Sequence, residues 1–228
     1  MISVVLVEPL YSGNVGSVAR VMKNFGFKDL VLVNPCEIDE DAYIMAVHAK
    51  GILQNARKVK TLEEIKREFD LVIGTTAIAT GKDDYFLRMT LQVHELKEKL
   101  AGAQGKIAIV FGREDNGLSN EEIELCDFCV TIPTKEEYKS LNLSHAVAVV
   151  LYGLSGIPRG RVRLASGKEK QLILDNLAEI SEKAEYPAEK RKVFNTMIER
   201  IIGRAVITGR EANTLIGVLK TVKNKLKE

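Results

Sequence analysis

Residues 105–153 read GKIAIVFGREDNGLSNEEIELCDFCVTIPTKEEYKSLNLSHAVAVVLYG. Ile107, Ala108, Ile109, Val110 and Phe111 form an unbroken apolar run, which predicts a central strand covered on both faces rather than an alternating edge strand. Gly112 follows, at a point where a ligand could approach the backbone closely. Glu114 and Asp115 come next, Gly117 permits a left-handed turn, and Ser119 with Glu122 fits the capping box of a new helix. A second strand is predicted over 130–132, then a polar loop and an apolar helix from about Asn142. One polar residue of Ser140-Leu141-Asn142-Leu143-Ser144 would suffice as a helix cap, and three exceed that need. Two strands that each end in a polar loop fit the placement of sites in α/β proteins, outside the carboxyl ends of strands. On spacing alone, Glu114 reads first as a solvated loop carboxylate.

Upstream, the same grammar repeats. A continuous apolar strand over 3–7 stops at Glu8-Pro9, and a helix over 14–25 is closed by Gly26 in the usual C-terminal position. A strand over 30–33 ends at Asn34-Pro35. Helices are predicted near 40–48 and after Thr61, and a strand over 71–74. Strands separated by helices predict a mostly parallel sheet covered on both faces. GNVGSVAR (13–20) has neither the G-x-G-x-x-G of a dinucleotide site nor the G-x-x-x-x-G-K-[ST] of a P-loop. Its distinctive residue is Arg20, among Val18, Ala19, Val21 and Met22. An arginine there pairs with a carboxylate, projects into a cleft, or lies exposed, because an unpaired buried guanidinium is costly. Thr75, Thr76 and Ala77 directly follow a strand, with side chains small enough to leave backbone groups open to a ligand.

With 228 residues, 46% hydrophobic and 28% charged, the composition is that of a globular chain able to bury a core. MISVVLVEPLYSG lacks the basic flank and long apolar run of a signal peptide, so a cytoplasmic protein without a membrane segment is expected. Cys126 and Cys129 form one C-x-x-C with no second pair, and buried packing is the expectation for them rather than a metal site. The net charge of +2 is unevenly spread: residues 1–158 hold 17 Lys+Arg against 22 Asp+Glu, and residues 159–228 hold 16 against 9. A basic last third is either a polyanion-binding appendage or a set of solvated helix faces. The stretch 155–163, rich in glycine and arginine, reads as a linker. Beyond it, three amphipathic helices are expected. Their apolar stripes run through Leu172, Ile173, Leu177 and Ile180, then Val193, Met197, Ile201 and Ile202, then Leu215, Val218, Leu219 and Val222. Pro187 is placed in a first turn, Gly209 between the last two helices, and the stripes read as core. Lys190, Arg191, Lys192, Arg200, Arg204 and Arg210 fall on the other faces.

FGREDNGLS, TIPT and SLNLSHAVAVVLY resemble the second and third motifs of the SPOUT methyltransferases, and GNVGSVAR resembles the first. The likeness spans roughly residues 1–155 and is nearest the TrmH/TrmJ branch of RNA ribose 2'-O-methyltransferases, on its TrmJ side. It implies an α/β parallel-sheet domain over 1–156 with a C-terminal trefoil knot, a rare exception to the rule against threaded chains. A basic linker over 157–168 and a helical, RNA-binding extension over 169–228 would follow. The implied cofactor is S-adenosylmethionine, with no metal. Its pocket would be walled by Thr75, Thr76, Ala77, Gly112, Ile132, Ser140, Leu141 and Asn142. Arg20 matches an essential arginine, Asn14 an asparagine that shapes the site, Glu114 a carboxylate that could orient Arg20 or another donor, and Asn142 and Ser144 the third motif. Tyr138 is a candidate partner for the nucleotide or cofactor. His145 is either a base or a packed histidine. Many bacterial relatives carry an arginine where this chain has Ile78, and Lys82 or Arg88 could supply that phosphate contact instead.

The resemblance also implies a homodimer whose partner subunit helps complete the site, with helix 146–154 as a candidate interface. The implied substrate is tRNA at position 32 of the anticodon loop, cytidine or uridine. Another tRNA position or rRNA is the alternative within the class, and a non-catalytic RNA-binding protein the alternative outside it.

Overall fold

The computed structural model describes residues 1–77, 90–135, 137, 140–158 and 160–226. β1 (Ile2–Val7) leads through α1 (Ser12–Asn24) to β2 (Asp29–Val33). Two short helices, α2 (Glu40–Ala46) and α3 (Lys50–Gln54), flank a 3-10 turn and precede β3 (Arg57–Val59); α4 (Leu62–Glu68) then leads into β4 (Leu71–Thr76). β5 (Thr90–Gln92), α5 (Val93–Leu100), β6 (Ala103–Gln104), β7 (Ile107–Phe111), α6 (Asn120–Leu125), β8 (Phe128–Thr131) and α7 (Leu143–Leu154) follow in turn.

Seven strands form one sheet in the order β3-β2-β1-β7-β4-β8-β5, all neighbours parallel. Side chains alternate across each strand, and here both faces are buried. Val4, Leu6, Ile73, Ile109 and Phe111 enter a core with α1, α2, α5 and α7, whereas Val5, Val7, Val72, Ala108 and Val110 enter a second core with α4 and α6. This is why the central strands lack polar alternation. Gly16 in GNVGSVAR belongs to packing: a Cβ there would lie 2.1 Å from the Ala42 carbonyl oxygen, so α1 and α2 meet backbone to backbone. Gly26 takes a φ of 78° just past α1, as its position suggested.

β9 (Val162–Arg163) pairs with β6, and Gly160 lies where a Cβ would come 1.9 Å from the Ala103 carbonyl oxygen. Three helices follow: α8 (Gly167–Lys183), α9 (Ala188–Ala205) and α10 (Gly209–Lys225). They share a small core of Ile173, Ile202, Ala212 and Ile216. It is tied to the sheet through Asp127, which is buried just before β8. Asp127 accepts from Val72 N at 2.8 Å and from Lys66 and Lys170 Nζ at 3.1 Å each. Burial alone would raise its pKa, but the charges of Lys170 and Lys66, together with the hydrogen bonds from Val72 N and Lys66, outweigh that and hold the carboxyl below its ordinary value.

Several local expectations need correction. The helix expected over 40–48 ends at Ala46, where Val47 turns to a φ of 51°. The apolar stripes of the last two helices are only partly core, with Val193 71% and Val218 57% exposed. A unit of only three helices has too little interior to cover every apolar stripe. Gly209 does not separate α9 from α10. Val206, in the left-handed region, ends α9, Thr208 caps α10, and Gly209 is its first residue, packed where a Cβ would meet the Arg163 guanidinium. Pro187 is the N-cap of α9 rather than a residue of its first turn.

Candidate active site

The carboxyl ends of β4, β7 and β8 and the start of α7 surround a cavity of about 320 Å³. Thr75, Thr76 and Ala77 contribute one wall, the loop from Gly112 to Leu118 a second, and Ile132, Ser140, Leu141 and Leu143 a third. Of the eight residues expected to line such a pocket, only Asn142 lies outside the lining. Thr75 Oγ1 donates to the Val110 carbonyl at 3.0 Å, which ties the end of β4 to β7.

Gly112 has a different reason from the one its position suggested. A Cβ there would fall 2.1 Å from the Gly117 carbonyl carbon and 2.3 Å from Leu118 N, so the loop folds back onto its own backbone. Gly117, at φ 67°, makes that return turn, and Arg113 and Gly117 exchange backbone hydrogen bonds at 3.1 Å. Ser119 and Glu122 form the expected capping box and start α6.

A chain of polar groups runs beside the cavity. Glu114 accepts from Leu10 N at 2.9 Å and from Asn14 Nδ2 at 2.8 Å. Asn14 Oδ1 faces Asn142 Nδ2 at 3.4 Å. Asn142 Oδ1 accepts from Ser144 N at 2.9 Å and Ser144 Oγ at 2.8 Å, so Asn142 both caps α7 and reaches the first motif. Residues that the sequence separates by 100 to 128 positions are thereby joined. Glu114 orients Asn14, not Arg20. Arg20 is exposed on α1 and makes no hydrogen bond or ion pair among the described residues.

Arg113 was missed by sequence reasoning. Its Nε and Nη2 donate to Glu8 Oε2 at 2.9 and 2.7 Å, and its Nη1 and Nη2 donate to Glu122 at 2.9 and 3.0 Å. Nη1 also reaches the Gly117 carbonyl at 3.3 Å. Hydrogen bonds from Asn34 and then Arg113 hold the Glu8 carboxyl below its usual pKa. The only signal in the sequence was adjacency to Glu114 at a strand end.

His145 is exposed in the first turn of α7, and so does not fit the packed-histidine reading. Tyr138, Ile78, Lys82 and Arg88 lie outside the described residues. Cys126 and Cys129 are buried in the second core, where their sulfurs crowd the position a Gly74 Cβ would take. Among the described residues, no cluster of three His, Cys, Asp or Glu could hold a metal ion, and no helix is long and apolar enough to cross a membrane. A larger cavity of about 380 Å³ lies at the amino ends of the strands, between Phe69, Asp127 and α8. Its buried carboxylate is already satisfied by two lysines and a backbone N–H, and it has no glycine loop. The smaller cavity, with its convergent polar chain, is the better candidate.

The chain matches the SpoU rRNA Methylase family over residues 1–152. It is 45% identical to the tRNA (cytidine-2'-O-)-methyltransferase TrmJ of Methanocaldococcus jannaschii, across 96% of this chain and 99% of that one. The tRNA (cytidine/uridine-2'-O-)-methyltransferase TrmJ of Pectobacterium atrosepticum is 32% identical, across 97% and 96%. The crystal structure of TrmJ from Z. mobilis superposes with a TM-score of 0.76 at 27% identity, across 98% of this chain and 99% of that one. A family match over two-thirds of the chain, joined to relatives similar from end to end, establishes that this chain belongs to the SpoU rRNA methylase family.

Proposed function

We propose that the chain is an S-adenosylmethionine-dependent tRNA ribose 2'-O-methyltransferase that modifies nucleotide 32 of the anticodon loop. The observation that carries this reading is the cavity at the carboxyl ends of β4, β7 and β8, with the Glu114–Asn14–Asn142 chain beside it. Its volume and lining suit the cofactor. Leu118, Val130, Ile132, Leu141 and Ala146 offer apolar contact to a purine, and Thr75, Thr76, Asp115 and Ser140 offer polar contacts to hydroxyl and amino groups. When bound, the cofactor supplies an electrophilic methyl group without a metal.

The protein's own residues do the rest. Both oxygens of Glu114 are engaged by Leu10 N and Asn14, so Glu114 acts as a positioning group rather than a base. It fixes the Asn14 amide with one N–H directed at the carboxylate, leaving the second as a donor for an RNA oxygen. Arg20 lies about 9 Å of helix axis beyond Asn14. A guanidinium stays protonated at any ordinary pH. Arg20 therefore clamps the phosphate beside the reacting nucleotide and stabilises negative charge developing on the ribose 2' oxygen.

Residues 1–156 form the catalytic unit in this reading, including the knot that the family likeness implies, and 157–168 the basic linker. The extension over 169–228 holds RNA phosphates, with exposed Lys190 and Lys192 on α9 as contacts. A second copy of the chain covers the exposed apolar residues Val149 and Tyr152 of α7, the latter 70% exposed. The protein acts in the cytoplasm, where tRNA is processed.

Incubation with S-adenosylmethionine and unmodified tRNA, followed by nucleoside digestion and mass spectrometry, tests the reading. A 2'-O-methylated nucleoside that maps to position 32 is expected. Methylation of rRNA but not tRNA, or cofactor binding with no methylated product on either, would overturn it.

A further inference from the structure

We propose that Arg113 is a positioning residue that locks the cofactor-facing loop to the β1–α1 connection leading to Asn14, so that cofactor affinity and methyl transfer depend on the same guanidinium. The proposal rests on the methyltransferase reading above. A guanidinium has five N–H donors, and Arg113 makes five hydrogen bonds: two to Glu8, two to Glu122 and one to the Gly117 carbonyl. Its polar edge is therefore fully engaged within the protein, although the residue borders the cavity. It acts through its partners.

Those partners belong to three different pieces of the site. Gly117 is the return turn of the cavity wall. Glu122 is the third residue of α6 and closes the capping box with Ser119, so it fixes where that wall ends. Glu8 stands at the end of β1 in the left-handed region, φ 43°, where a non-glycine residue persists only if its surroundings hold it. Arg113 on one side and Asn34 Nδ2 at 3.0 Å on the other hold its side chain, and its backbone N–H donates to the Val33 carbonyl at 2.8 Å.

The next residue repeats the connection. Glu114 binds Leu10 N and Asn14, so consecutive residues 113 and 114 grip the β1–α1 connection at Glu8 and Leu10 and the first turn of α1 at Asn14. A shift of the cavity wall is thus transmitted to the Asn14 amide, and the reverse. Lysine at position 113 keeps the charge but is a single point donor that cannot fork two carboxylates.

The test compares Arg113→Lys, Glu8→Gln and the double variant by calorimetric titration with S-adenosylmethionine, by kcat and KM on tRNA, and by Tm. Arg113→Lys is expected to weaken cofactor binding about tenfold and lower kcat about tenfold, the scale of one charge-assisted hydrogen bond. Glu8 does not line the cavity, yet Glu8→Gln is expected to move both quantities the same way by about threefold. The double variant should be no worse than Arg113→Lys alone, because both changes cut one connection. Where Arg113→Lys does not fold, Glu8→Gln carries the test. Lowered Tm with binding and kcat per folded molecule at the parent level would overturn the proposal, since the role would be structural only. Loss in Arg113→Lys with parent values in Glu8→Gln would also overturn it, in favour of direct contact with the cofactor. A parent protein that binds no S-adenosylmethionine would instead overturn the reading on which the proposal stands.

Discussion

The two ends of the parallel sheet treat their charged groups in opposite ways. At the amino ends, Asp127 is buried, and Val72 N, Lys66 and Lys170 satisfy it, the last from α8. At the carboxyl ends, Glu114 and Asn14 are tied to each other but leave a donor over, and glycine-rich backbone folds around an open cavity. Cavity volume does not separate the two ends, with about 380 Å³ beside Asp127 and about 320 Å³ at the carboxyl ends. What separates them is whether the polar groups have already found partners inside the protein. A self-satisfied buried charge holds elements together, whereas convergent groups with unused donors are available for a ligand.

The largest effect that can break this contrast is at Arg20. Arg20→Ala should lower kcat by about a thousandfold, the scale of removing one donor to a developing oxyanion, with cofactor affinity unchanged in a calorimetric titration. Next is Asp127→Ala, which leaves two lysines without their shared carboxylate. Removing one member of a buried ion pair costs on the order of 3–5 kcal/mol, and the partial exposure of Lys66 sets the expectation near the low end, about 3 kcal/mol by denaturant titration. Cofactor affinity should hardly change. The sign of the pH dependence follows: the folded pKa of Asp127 is lowered, so its stabilisation is present above the ordinary value of 3.8 and is lost as pH falls below it. Acid titration followed by circular dichroism reads that loss.

A smaller effect is expected from Glu114→Gln. It exchanges an acceptor pair for an amide and should reduce kcat about tenfold, because Leu10 N and Asn14 Nδ2 then compete for one carbonyl. Smallest is Lys190→Ala with Lys192→Ala. Each phosphate contact removed should lower the salt slope of RNA binding by about one, measured by filter binding across salt concentrations. An unchanged slope would place the RNA elsewhere.

The strands were legible because a strand buried on both faces has no room for polar alternation: Val4–Val7 and Ile107–Phe111 read as continuous apolar runs and sit at the centre of the sheet. Of the cavity lining, Thr75–Ala77 was legible because small side chains directly follow a strand, whereas Ile132, Ser140 and Leu141 were expected only from the family resemblance. What remained hidden is what binds across distance. Glu8 is 105 positions from Arg113, and Asp127 is 43 from Lys170; no local spacing encodes either pairing. Gly112 and Gly16 illustrate a second limit, since a glycine needed for close backbone packing looks the same in sequence as one needed for a ligand. The exposed Val193 and Val218 illustrate a third: helical periodicity reports which residues share a face, not whether anything covers it.

Hydrogen exchange of the intact protein with and without S-adenosylmethionine reads both ends of the sheet in one experiment. New protection is expected over 74–77, 111–118, 132 and 140–143, with no change over 66–70, 127 and 167–174. Protection at the second set, with the first unchanged, would contradict that expectation and move the site to the other end of the sheet.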